Sequence, residues 1–167
     1  MKKALKITLI SLLALILILF FGFIVLFFGE IRTLFTLNKI NDHPFYEMTY
    51  HCDYALDEFL DKGGASTDGE LVSFLKGKIL KGANFEVNPS GACSTFIAAT
   101  PNGDNLFARN FDYIPSIGLI LKTKPKNGYK SISVVNLNHL GLNEEKLPNS
   151  SLMNRFITLA APYAPLE

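Results

Sequence analysis

Cys93 opens the run Cys93-Ser94-Thr95-Phe96 directly after the small residues Gly91 and Ala92. Arg109 and Asp112 close a second run, Ala108-Arg109-Asn110-Phe111-Asp112. A thiol, a guanidinium and a carboxylate are the residue types of covalent catalysis at a carbonyl carbon. A free cysteine ionises near about 8.5, so at neutral pH it needs a base or a positive charge beside it. Arg109 would supply the charge. Cutting the Ala92–Cys93 bond would supply the base, because an α-amine titrates near about 7.7–8.0 and can serve its own side chain. Asp112 would orient that amine. The stretch Asn88-Pro89-Ser90-Gly91-Ala92 forms a loop suited to such a processing site.

A chemically inert reading of the same residues stands beside this one. Cys93 is then a strand cysteine, or is paired with Cys52 in a disulfide within a membrane-anchored extracellular module. Arg109 and Asp112 become an ordinary surface pair. The three histidines, His43, His51 and His139, are scattered and fit no zinc spacing, and no phosphate-binding glycine loop is present. No metal or cofactor is expected.

The elements that must hold these residues follow from local signals. Residues 94–100 and 105–109 read as strands about the turn Pro101-Asn102-Gly103-Asp104, a hairpin. Centring the turn on Asn102-Gly103 sets Cys93 opposite Asp112, and Arg109 opposite Phe96 on the other face. A bulge near Asn110 would then be needed to bring Arg109 round. Two further strands are expected near 119–123 and 129–137, separated by a turn at 124–128, so that 93–137 forms an antiparallel meander. Upstream, Phe45, Met48, Cys52, Leu56 and Phe59 recur at helical spacing, with Asp42 as cap, Pro44 in the first turn and Gly63-Gly64 as the stop. A second helix starts at the capping box Thr67-Asp68-Gly69-Glu70 and stops at Gly82. A short helix is expected over 151–159. Helices followed by strands give an α+β class.

The chain has 167 residues, 49% hydrophobic, with 16 Lys and Arg against 15 Asp and Glu. That length suits one domain. Lys2, Lys3 and Lys6 precede every acid in the chain, and the remainder carries no basic stripe, which argues against a nucleic-acid partner. Residues 7–28 are almost wholly apolar and extend about 33 Å as a helix, enough for a hydrocarbon core of about 30 Å. A cleavable signal is the rival, but its apolar region is shorter, about 7–15 residues, and ends in an A-x-A-like site that Gly29-Glu30-Ile31-Arg32 does not offer. The expected order is a cytoplasmic tail at 1–6, an anchor in the bilayer at 7–28, a helical prosegment at 29–92 and a catalytic part at 93–167. The lysines place the N-terminus in the cytoplasm and the rest outside, at the cell membrane.

Cys-Ser-Thr, a glycine-containing turn and then Arg-Asn-x-Asp together resemble the start of the mature choloylglycine hydrolases. These are N-terminal-nucleophile (Ntn) amidases that include bile salt hydrolases and penicillin V acylases and are related to acid ceramidase. The resemblance covers roughly 93–137, with Ala108 in place of a frequent glycine, and more loosely the helical segment before it. It implies an αββα sandwich, autoproteolysis between Ala92 and Cys93, and Cys93, Arg109 and Asp112 as catalytic residues. The implied substrate is a small-molecule linear amide cleaved at its C–N bond, without a cofactor. Family members continue well past the length seen here, so the resemblance further implies an incomplete sandwich, inactive by itself.

Overall fold

A computed structural model describes residues 2–85, 92–112 and 116–164; at positions 2, 92–94 and 109–112 it describes the backbone alone. The apolar run becomes helix α1, Lys2–Leu26. Within Lys3–Leu26 the most apolar 18 residues have a mean hydropathy of 3.2, and none of those residues is buried in the rest of the molecule. Among the described residues it is the one helix long and apolar enough to cross a membrane. Helix α2, Phe28–Phe35, follows after a single residue. The Phe27 N–H still donates to Phe23 O at 3.0 Å, and the Ile31 N–H to Phe27 O at 2.9 Å, so helical bonding runs through the junction and no linker intervenes.

The next elements correct the expectation of one amphipathic helix across 42–63. Residues Asn38–Lys39 form β1 and Phe45–Thr49 form β2. Helix appears only as α3, Leu56–Asp61, which does end on Gly63-Gly64. In β2 the buried side chains are Tyr46 and Met48, two apart, which is the period of a strand. The capping box behaves as read. Helix α4, Asp68–Phe74, has the Thr67 hydroxyl accepting the Glu70 N–H at 3.2 Å, while the Glu70 carboxylate accepts the Ser66 N–H at 2.7 Å. One π-helical turn, Leu75–Ile79, carries the chain to Gly82.

Strands β3, Ala92–Ala99, and β4, Asn105–Asp112, pair antiparallel as expected but form a sheet of their own. Strands β5, Gly118–Thr123, and β6, Ser131–Asn136, belong to a four-stranded mixed sheet in the order β1-β2-β5-β6. The single meander across 93–137 therefore does not form. One edge of β5 is taken by β6, antiparallel, and the other by β2, parallel, with Phe45 opposite Gly118 and Thr49 opposite Lys122. No edge of β5 is left for β4.

The core lies between this mixed sheet and the C-terminal helical segment, α5 (Leu152–Ile157) running into a 3-10 turn, Thr158–Tyr163. Tyr46, Met48, Leu119, Leu121 and Val135 supply its sheet side, and Leu159, Ala160 and Ala161 its helical side, all almost wholly buried. Tyr50 donates its hydroxyl to the Leu159 carbonyl at 2.8 Å. Tyr163 closes the far side in edge contacts with Tyr54, Phe59 and Phe74. The short helix expected over 151–159 is present as α5 and the turn after it, and Ser151 caps α5 by accepting the Asn154 N–H. The protein is thus a mixed α+β body continuous with a long apolar helix.

Candidate active-site hairpin

The β3–β4 hairpin carries the three residues singled out by their chemistry. Its turn is built on Thr100 and Asp104: the Thr100 N–H donates to Asp104 O at 2.8 Å, and the Gly103 N–H returns to Thr100 O at 3.0 Å. Gly103 adopts φ +86°, a conformation open to glycine and costly for a residue with a Cβ. The last pair before the turn is Ala99 with Asn105, so the turn is odd-membered and centred on Asn102.

This shifts the register by one from the expected pairing and alters every cross-strand relation. Cys93 pairs with Phe111, Thr95 with Arg109, and Ala92 with Asp112. A one-residue slip exchanges the faces of a strand. Positions 93 and 109 accordingly share one face of the hairpin, one pair apart, without the bulge that the expected register needed. Position 112 falls on the other face, opposite Ala92, the residue on the leaving side of the candidate cut. The expectation that Cys93 lies directly opposite Asp112 is corrected on this count. The processing loop Asn88-Pro89-Ser90-Gly91 lies outside the described residues.

Between Thr95 and Ala108, both faces of the hairpin carry large apolar side chains open to solvent. Ile97 and Phe107 are a cross-strand pair on the 93/109 face, 74% and 64% exposed. Phe96 and Leu106 lie on the 92/112 face, 59% and 51% exposed. Strands with large side chains on both faces are the kind that sit between two covering layers.

The second cysteine occupies a different environment. Cys52 is a free, half-buried thiol whose Sγ lies 3.6 Å from the Thr33 hydroxyl. Burial pushes its pKa up, and hydrogen bonds to Thr33 and Tyr50 only partly offset the shift. Such a thiol is a poor nucleophile at neutral pH. Beside it, His51 is held below its usual range by partial desolvation and by the Arg32 charge. Among the described residues no group of three His, Cys, Asp or Glu side chains could hold a metal ion.

No family model matches the chain, and no curated protein and no solved structure matches it.

Proposed function

We propose that this chain carries the nucleophile of a cysteine amidase of the choloylglycine hydrolase kind, acting on linear amide C–N bonds of acylated small molecules. The observation that carries the reading is the hairpin register. It sets positions 93 and 109 on one face and sets Asp112 against Ala92 across the ladder. The apolar residues open on both hairpin faces favour an αββα sandwich, in which two layers would cover them.

In this mechanism the Cys93 thiolate first attacks the Ala92 carbonyl carbon. The C–N bond breaks, the departing nitrogen takes a proton, and a thioester links Ala92 to Cys93. Water hydrolyses the thioester, releasing the Ala92 carboxylate and leaving Cys93 with a free α-amine. That amine then takes the thiol proton when substrate binds. Arg109 stabilises the thiolate by charge, and Asp112 orients the amine at the position Ala92 has left. The long N-terminal helix holds the protein in the cell membrane with Lys2, Lys3 and Lys6 in the cytoplasm and the catalytic part outside.

N-terminal sequencing of the protein purified from cells that make it tests the reading. A polypeptide beginning at Cys93 is expected. An intact Ala92–Cys93 bond in an active enzyme would overturn the mechanism.

A further inference from the structure

The junction between α1 and the folded body holds an open groove of about 880 Å³. Phe23, Phe27 and Leu34 form one wall, and Leu80, Met153 and Phe156 of the body form the other. Glu30 and Lys81 are the charged residues of its lining, one of each sign. We propose that this groove is a lipid seat: an acyl chain of the leaflet in which α1 ends fills it, with a zwitterionic headgroup lying near Glu30 and Lys81, so that the body rests on the bilayer.

Continuity with the span carries the proposal. Phe23 belongs to the apolar stretch Lys3–Leu26, so the lower wall of the groove begins where hydrocarbon would surround the helix. The body begins within a turn of the point where the helix leaves that stretch. A Cβ built on Gly29 would lie 2.6 Å from the Cβ of Cys52, and Thr33, one turn on, is wholly buried. Helical bonding through Phe27 leaves no slack to let the body stand away from the membrane. The opposite wall presents Met153, 54% exposed, next to Leu152 at 80%, side chains that water covers badly.

A second observation points the same way. Contacts of Thr36 with Thr49, Thr33 with His51 and Gly29 with Cys52 show the chain after β2 descending along α2 toward the span. β5 runs parallel to β2, so the turn after Thr123 lies at the same end of the sheet. That turn holds exposed Lys124, Lys126 and Lys130 and Tyr129, which is 95% exposed. Lysines attract the phosphates of lipid headgroups, and tyrosine favours the membrane–water boundary. The proposal does not depend on the chemistry assigned to Cys93.

The sequence contains no tryptophan, so any tryptophan introduced is the sole such emitter. The full chain would be placed in phosphatidylcholine nanodiscs made with and without bromine on the acyl chains, in four variants. Leu13→Trp reports the span, Met153→Trp and Leu152→Trp the groove, and Asn41→Trp the opposite end of β2. Met153→Trp is expected to emit to the blue and to be quenched several-fold more strongly than Asn41→Trp, more by bromine high on the chain than near its end. Leu152→Trp should follow it, which guards against a packing fault at position 153. Leu13→Trp should be quenched most by deep bromine. Groove variants quenched no more than Asn41→Trp overturn the proposal. So does a blue emission that ignores bromine and changes with protein-to-lipid ratio, because a second copy of the chain then fills the groove. An unquenched Leu13→Trp overturns it as well, by removing the span from the bilayer.

Discussion

Thr33 and His51 fasten the helical rod to the sheet: the Thr33 hydroxyl accepts the His51 backbone N–H at 2.8 Å and donates to the Gly29 carbonyl at 2.8 Å. Thr33 is fully buried, so no water replaces the hydroxyl if it is lost. Thr33→Val is expected to lower stability by about 1–3 kcal/mol, the cost of leaving a buried donor unsatisfied. Thr33→Ser, which keeps the hydroxyl, should recover most of it. Denaturant unfolding of the full chain in nanodiscs measures both.

Gly29 predicts a steric effect at the same joint. A Cβ at this position would lie 2.6 Å from Cys52 Cβ and 3.2 Å from Cys52 Cα, which leaves no room for a side chain. Gly29→Ala should destabilise by about 1–3 kcal/mol through overpacking. Combining it with Cys52→Gly should return part of the loss, and a double-mutant cycle would measure that coupling.

The two thiols should differ sharply in reactivity. Cys52 has its pKa raised by burial, so it stays protonated through neutral pH and alkylates slowly, gaining rate only at pH above the usual thiol value. The sign for stability follows. Below the unfolded pKa the folded chain keeps this proton at no cost; as pH rises past it the unfolded thiol ionises first and stability declines. Cys93, as the proposed nucleophile, should alkylate fast at neutral pH. Iodoacetamide labelling across pH, read by mass spectrometry, compares them. A protected Cys93 linked to Cys52 would instead favour the disulfide-bonded module.

Substitutions at the nucleophile separate processing from turnover. Cys93→Ala should abolish the Ala92–Cys93 cut. In the protein purified from cells that make it, rather than in the 167-residue chain alone, Cys93→Ser should cut slowly and lose amidase activity by about 10³-fold or more, since a hydroxyl ionises far less readily. Cys52→Ala should leave both intact. Gel mobility and N-terminal sequencing of each variant, with amide hydrolysis assays, provide the readouts.

Orientation in the membrane is open to a direct test. Protease added to intact cells should digest the part after α1 and spare the lysine-bearing tail. Protection of the part after α1 would reverse the proposed topology.

What the sequence revealed, and what it concealed, divides along the distance between interacting residues. Helix α4 with its Thr67 cap, the β3–β4 hairpin, β5, β6 and the short helix α5 rest on signals within a few residues of each other, and each was legible. β2 was not. Phe45, Met48 and Cys52 stand at helical spacing, and the pairing that spans all of 45–49 comes from β5, far along the chain, with the two-residue β1 adding only the pairs at Tyr46 and Glu47. Tyr46 alternating with Met48 was the available signal, overshadowed by the longer period. The site suffered from one residue of turn. An Asn-Gly pair suggests a two-residue turn, whereas the bonds between Thr100 and Asp104 enclose an odd-membered one. That difference decides whether position 93 shares a face with 109 or with 112.

The parallel pairing of β2 with β5 also imposes an order on synthesis. Phe45 and its partner Gly118 are separated by about 70 residues, which a ribosome making about 5–20 residues per second needs about 4–14 s to produce. By then α1 has long since emerged. β2 therefore waits with the edge meant for β5 unpaired while the whole β3–β4 hairpin is made. A chaperone or the membrane surface would find its target in that waiting strand, and a stall anywhere between the two strands would prolong its exposure.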